Sequence, residues 1–249
     1  MKSFLNREKP TLVSMVQAKE PERLKYLMDK SRETGAEGFG IQLEQLLPEH
    51  KTEAVIRDIF AYAGDLPVYF TNYRHLVNAE KSDETITEEL LKAAEWGGTL
   101  ADVMGDTFCR TEGELTVDSE AVEKQIKLID RLHKAGAEVL MSSHVVKFIS
   151  AERALEIALE HKRRGADISK IVVSADSMEQ QIENMRIINL LKEKLGIPFL
   201  FLSGGECRIL RRLGGALGNC MSLCVYEYDD IATPFQPLLS DMKSIRDLI

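Results

Sequence analysis

No apolar stretch in this 249-residue sequence approaches the roughly 18 residues needed to cross a bilayer, which argues against a transmembrane helix. The opening Met1-Lys2-Ser3-Phe4-Leu5-Asn6 turns polar too early for a secretory signal. The formal net charge is -8, yet no run of five or more like charges and no basic stripe occurs. Nucleic acid and anionic membranes need clustered Lys and Arg, so neither is expected as a partner. Cysteine is scarce: Cys109, Cys207, Cys220 and Cys224 are too few for a disulfide scaffold, and none has C-x-x-C spacing. Reduced thiols in the core of a cytoplasmic protein are the expectation. His50, His75, His133, His144 and His161 form no H-x-x-x-H pair, so no metal site is expected. No G-x-G-x-x-G turn follows the first apolar run, against an open dinucleotide-binding sheet.

What the chain does have is alternation, with 44% hydrophobic residues to build a large core. Short apolar runs fall at 11–16, 38–43, 67–71, 99–103, 138–142, 168–174, 198–202 and 221–225. Between them lie helical patterns at 20–34, 51–63, 83–96, 118–135, 150–164, 177–195 and 205–217, with a last one at 238–248. Val122, Ile126, Ile129 and Leu132 show the helical spacing, and Gly35, Gly97-Gly98, Gly136, Gly165, Gly196 and Gly218 each stop a helix. Near-continuous apolar strands joined by crossover helices imply a parallel sheet buried on both faces. Eight such units in a chain of this length predict a single (β/α)8 (TIM) barrel over residues 1–249, with its chemistry at the C-terminal ends of the strands.

The reactive residues in or after those runs are few. Ser142-Ser143-His144 ends the fifth strand, and Lys170 lies inside the sixth. An ammonium flanked by Ile and Val is costly unless paired. Desolvation favours the neutral amine, which attacks ketones to form a Schiff base; the alternative is a strand-end lysine that snorkels to water. His144 on the neighbouring strand could move protons beside an iminium carbon, or be a hydrogen-bonded loop histidine. Arg74 follows the third strand, Ser203-Gly204-Gly205 the seventh and Gln236 the eighth. Arg212 in Arg208-Ile209-Leu210-Arg211-Arg212 offers a fork for a carboxylate, although three arginines in five residues also suit a solvated helix face. The Gly204-Gly205 turn could hold a phosphate at a helix N-terminus, but the glutamate that follows opposes an anion.

Together these segments resemble type I 3-dehydroquinate dehydratase over nearly the whole chain. Ser142-Ser143-His144 matches the family's S-x-H, and Asp167-Ile168-Ser169-Lys170-Ile171 its D-I-x-K-I. Thr71-Asn72-Tyr73-Arg74 is similar to T-F-R with one extra residue. Residues 203–212 resemble S-M-G-x-x-G-x-x-S-R, and Ala232-Thr233-Pro234-Phe235-Gln236 resembles S-A-P-G-Q. The departures lie around the substrate hydroxyls. The family's E-x-R-x-D aligns with Gly40-Ile41-Gln42-Leu43-Glu44, its loop serine falls on Ala232, and the glutamate that partners its histidine falls on Asn78, with Glu80 close by.

The resemblance implies a barrel of the class I aldolase type that converts 3-dehydroquinate to 3-dehydroshikimate, a lyase of the shikimate pathway and of aromatic amino-acid biosynthesis. Lys170 would form the imine and His144 would act as general acid and base. Arg212 and Arg74 would hold the carboxylate, and Gln236, Gln42 and Ser203 would complete the substrate shell. No metal or cofactor is implied, because the imine is itself the electron sink. A small keto acid would be the partner, and the protein a cytoplasmic homodimer. Two alternatives stand beside this reading: a Schiff-base lyase for another keto acid, which the changes at Gly40, Gln42 and Ala232 suggest, and a barrel that binds without catalysis.

Overall fold

The computed structural model describes residues 2–5 and 7–248. Strands and helices alternate along the chain as β1 (Thr11–Val16), α1 (Pro21–Thr34), β2 (Gly38–Gln42), α2 (Glu53–Tyr62), β3 (Val68–Thr71) and α3 (Asp83–Glu95). They continue as β4 (Leu100–Met104), α4 (Ser119–Lys134), β5 (Glu138–His144), α5 (Ala151–Arg163), β6 (Ile168–Ser174) and α6 (Met178–Lys194). The last four are β7 (Phe199–Gly204), α7 (Leu210–Leu217), β8 (Met221–Cys224) and α8 (Leu239–Asp247).

All pairings are parallel, in the order β7-β6-β5-β4-β3-β2-β1-β8. The remaining seam, between β7 and β8, is bridged rather than laddered. The Asn219 amide donates to the Phe201 carbonyl at 3.0 Å and accepts from the Phe201 N–H at 2.8 Å. Cys220 N–H donates to the Phe199 carbonyl at 2.9 Å. The sheet is therefore a nearly closed (β/α)8 barrel, as the alternation predicts. Among the described residues, no helix is long and apolar enough to cross a membrane.

Two apolar layers build it. One fills the space between strands and helices; the other fills the barrel itself, with Phe4, Val13, Leu100, Leu140, Ile168, Leu200 and Leu223 among its members. Phe4 plugs the lower end, anchored by its N–H to Glu138 Oε2 at 2.9 Å at the start of β5. Side chains alternate between the two layers with the period of two that a strand imposes. This parity decides what points into the barrel above the plug.

Helix boundaries follow their caps. Thr52, Ser82, Asp118, Ser150 and Ser177 each accept a backbone N–H at the start of α2, α3, α4, α5 and α6. The exception is α7, which begins at Leu210 and not near Gly205 as its pattern suggests. Gly205 has φ +79°, and Cys207 N–H turns back to the Ala175 carbonyl, so residues 205–209 form a loop and offer no helix N-terminus to a phosphate.

Candidate active site

Parity in β6 puts Ile168, Lys170 and Val172 inside the barrel and Ser169, Ile171 and Val173 outside. Lys170 thus enters the interior one step above the apolar plug, at 4% exposure. Such an ammonium must be paired, and β4 supplies the partner. Asp102 has the parity of Leu100, and its Oδ2 accepts from Lys170 Nζ at 3.0 Å. Tyr69 and Tyr73 bring two hydroxyls to the same point, at 3.0 and 2.7 Å from Nζ. Both donate to Asp102 Oδ2 at 2.5 Å, and Ser142 Oγ donates to Oδ1 at 2.6 Å. Burial alone would raise the Asp102 carboxyl; the Lys170 ammonium, His144 and these donors hold it below the usual range. Burial and the same carboxylate push both phenols well above their ordinary value.

His144 has the parity of Leu140 and Ser142 and lies at the mouth, its ring edge-on to Tyr73 with centroids 5.3 Å apart. Its Nδ1 is 2.7 Å from Glu114 Oε2, and its backbone N–H donates to the same oxygen at 3.0 Å. The ring nitrogen facing Glu114 is thereby fixed as the N–H side, leaving Nε2 for proton transfer. Burial would raise Glu114; the hydrogen bonds from His144 hold it below its usual range. Glu114 adopts φ +51°, in the left-handed region that costs an L residue energy, as functional loops often tolerate.

Lys170, His144, Tyr69 and Tyr73 line one cavity of about 320 Å³, together with Gln17, Gln42, Gln45, His75, Arg211, Thr233, Phe235 and Gln236. Gln17 Nε2 donates to Gln42 Oε1 at 2.5 Å, which joins β1 and β2 across the wall. Arg211 is the cavity's guanidinium. Its Nε donates to the Ser203 carbonyl at 3.1 Å, and burial lowers its pKa to about 10. Among the described residues it meets no carboxylate within ion-pair distance, so its charge is free for an anionic ligand.

Of the residues expected at the site, Lys170, His144, Gln42 and Gln236 line this cavity and three others do not. Arg74 is spent elsewhere. Its guanidinium chelates Asp83 at 2.7 and 2.8 Å and reaches Asp106 at 2.6 Å, which ties the β3 loop to α3 and the β4 loop. Arg212 is exposed and faces a neighbouring cavity with Arg208 and Tyr228, because consecutive helical residues point about 100° apart. Ser203 is fully buried and accepts from Asn184 Nδ2 at 3.1 Å. Neither Asn78 nor Glu80 partners His144. Asn78 is buried in a structural network, donating to Asn72 Oδ1 and the Tyr73 carbonyl, and the carboxylate comes instead from Glu114 in the loop after β4.

The place of the family's strand-two glutamate is also filled. A Cβ on Gly40 would sit 2.1 Å from Met15 Sδ and 3.2 Å from Tyr69 Cδ1. Four residues on, Glu44 is fully buried beneath Tyr73 N–H and Thr71 Oγ1, and burial pushes its carboxyl up to about 7.

Behind the strands, His161 of α5 fastens β5 to β6. Its ring nitrogens lie 3.0 Å from Ser143 Oγ and 3.0 Å from Ser169 Oγ, the residues beside His144 and Lys170. Burial, with Arg164 nearby, lowers its pKa to about 3. Since the folded value lies below the unfolded one of about 6.5, the protein should lose stability as pH falls from about 6.5 toward 3, by up to ~4 kcal/mol from this group. Urea unfolding of wild type and His161→Gln at pH 7 and pH 4 checks this. The variant's loss on acidification should be the smaller; equal losses would assign the acid sensitivity elsewhere.

Comparison with known proteins agrees with this architecture. A 3-dehydroquinate dehydratase from Geobacillus thermodenitrificans is 23% identical over 81% of this chain and 74% of its own length. One from Alkaliphilus oremlandii is 30% identical over 55% of this chain and 52% of its own. Among solved structures, the 3-dehydroquinate dehydratase of Geobacillus kaustophilus superposes with a TM-score of 0.82 at 15% identity, covering 100% of this chain and 95% of that one. The type I enzyme of Clostridium difficile, solved with covalently modified comenic acid, gives 0.79 at 16% identity, covering 97% and 93%. The expected class, a hydro-lyase, agrees with the names of these relatives. The family model described as type I 3-dehydroquinase matches residues 15–249, and the chain belongs to that family.

Proposed function

We propose that this protein dehydrates 3-dehydroquinate to 3-dehydroshikimate through an imine on Lys170, with His144 as general acid and base. One observation carries the reading. A buried, fully partnered lysine lines the same cavity as a histidine from the next strand, whose carboxylate partner fixes its tautomer. Lys170, relieved of a proton, attacks the C3 ketone. The iminium that forms draws electrons from C2, so the C2 proton becomes acidic and His144 removes it. The same imidazolium then gives a proton to the departing C1 hydroxyl. Hydrolysis of the imine frees the product. The imine supplies the electron sink, so neither metal nor cofactor is needed. On this reading the protein is a cytoplasmic homodimer serving aromatic amino-acid biosynthesis. Incubation with 3-dehydroquinate should produce the conjugated enone absorbance of 3-dehydroshikimate; enzyme at high concentration that produces none would remove this substrate.

Arg211, the guanidinium lining the cavity, would hold the substrate carboxylate. Arg211→Ala should raise KM by about 10²-fold, the loss of a charge-assisted hydrogen-bonded contact, with a smaller effect on kcat. Arg212→Ala should leave KM within about threefold, because a solvated cation contributes little. Steady-state kinetics of the two variants decide between them, and the reverse order would return the role to Arg212.

A second reading is favoured by one observation: Met15 and Tyr69 occupy the space where the family's glutamate would extend from Gly40. A lyase with the same imine chemistry but a differently decorated keto acid fits that wall. Turnover of another cyclic keto acid at a higher kcat/KM than 3-dehydroquinate would select it.

A further inference from the structure

Asp102 has no direct route to the cavity. Its side chain is fully buried and it is absent from the cavity lining. Oδ1 faces Ser142, and among the described residues Oδ2 meets only Tyr69, Tyr73 and Lys170. Once the lysine nitrogen is bound to carbon, protons can pass between this carboxyl and the cavity only through the two tyrosine hydroxyls. They are not equivalent. Tyr69 is 1% exposed within β3, whereas Tyr73 follows the strand, is 9% exposed and lies edge-on to His144. Tyr73 Oη is also the nearer to Lys170 Nζ, at 2.7 Å against 3.0 Å.

The geometry points to Tyr73 as a further catalytic residue whose hydroxyl relays protons between the buried Asp102 carboxylate and the carbinolamine formed at Lys170. The inference rests on the imine reading above. The hydroxyl already accepts from the ammonium and donates to Asp102, the arrangement a relay needs. Burial beside Asp102 keeps the phenol neutral, so it passes protons without holding charge.

The steps balance. Tyr73 takes a proton from the Lys170 ammonium as its own moves to Asp102, leaving a neutral amine, phenol and carboxylic acid. The amine nitrogen forms a bond to the ketone carbon, the carbonyl π pair moves to oxygen, and one N–H proton transfers to that oxygen. Asp102 returns its proton through Tyr73 to the carbinolamine hydroxyl. The C–O bond breaks, water leaves, and the nitrogen lone pair closes the iminium. The ammonium's three protons end as one on the iminium nitrogen and two in water, and Asp102 is again a carboxylate.

The test is the rate of borohydride-trapped adduct on Lys170, read by mass spectrometry with two carbonyl probes, 3-dehydroquinate and glyoxylate. Tyr73→Phe removes the hydroxyl and keeps the ring against His144. It should give the same adduct about 10²-fold more slowly with either probe, while its affinity for 3-dehydroquinate moves by less than about threefold. Tyr69→Phe should slow trapping by less than about tenfold. In the wild type the trapping rate should fall in deuterated water. A folded Tyr73→Phe variant that traps at the wild-type rate overturns the relay, as does Tyr69→Phe slowed equally. If Tyr73→Phe does not fold, a wild-type rate indifferent to deuterium overturns it. Adduct with glyoxylate but none with 3-dehydroquinate removes the substrate reading alone, and the glyoxylate rates then decide the relay. No adduct with either probe overturns both.

Discussion

Lys170→Met is expected to reduce turnover of 3-dehydroquinate by about 10⁴-fold or more, because among the described residues no second lysine lines the cavity to form the imine. It should also weaken the fold. Methionine fills most of the volume but leaves Asp102 buried without its cation, a loss of about 3–5 kcal/mol for a broken buried pair. Adding Asp102→Asn removes the stranded charge. The double variant should regain much of the stability and none of the activity. Enone-forming assays and urea unfolding on the two variants separate these effects. Substantial turnover in Lys170→Met would end the imine mechanism, whatever its stability. A double variant no more stable than the single one would mean that the Lys170–Asp102 pair is not what holds this part of the barrel.

His144→Ala should lower kcat by about 10²-fold or more, the usual contribution of a positioned acid–base group. The defect should lie after imine formation begins: the Lys170 adduct should still accumulate on borohydride reduction, while C2 proton exchange with solvent falls. Glu114→Gln tests the partner. It keeps a hydrogen-bonding side chain at the His144 ring but removes the charge that stabilises the imidazolium, so kcat should fall by about tenfold with KM little changed. Glu80→Gln should be silent, because Glu80 is not the carboxylate paired with His144. Wild-type kcat in Glu114→Gln would deny that carboxylate its role.

How much of this was visible in the residues alone varies with the physics involved. The sixth strand is read residue for residue as 168–174, because an apolar run between Gly165 and Ser177 has one place to be. The interior position of Lys170 follows from the same run once parity is known. Asp102 could have been found by the logic that singled out Lys170: a lone carboxylate in Leu100-Ala101-Asp102-Val103-Met104 demands a buried partner. Glu114 carries no such signal. It reaches His144 across a 30-residue separation from an aperiodic loop, and only the folded barrel brings the two together.

The arginines show a different limit. Motif alignment selects Arg212, but which of Arg211 and Arg212 faces the mouth depends on where α7 begins. That start shifts by five residues because Gly205 turns back toward Ala175. Arg74 matches its motif in type, one residue further along, yet Asp83 and Asp106 claim it, and neither neighbour lies in the motif. The glycine at position 40 looked like a lost glutamate; the folded chain gives it a steric reason, since Met15 occupies the space.

Whether Lys170 forms an imine with 3-dehydroquinate decides the chemistry of this site. Borohydride reduction of the protein in the presence of that ketone, followed by intact-mass and peptide mass spectrometry, tests it most directly. One reduced adduct per chain is expected, carried by the peptide containing Lys170 and absent from Lys170→Met. Unmodified protein after reduction, or an adduct on any other lysine, would contradict it.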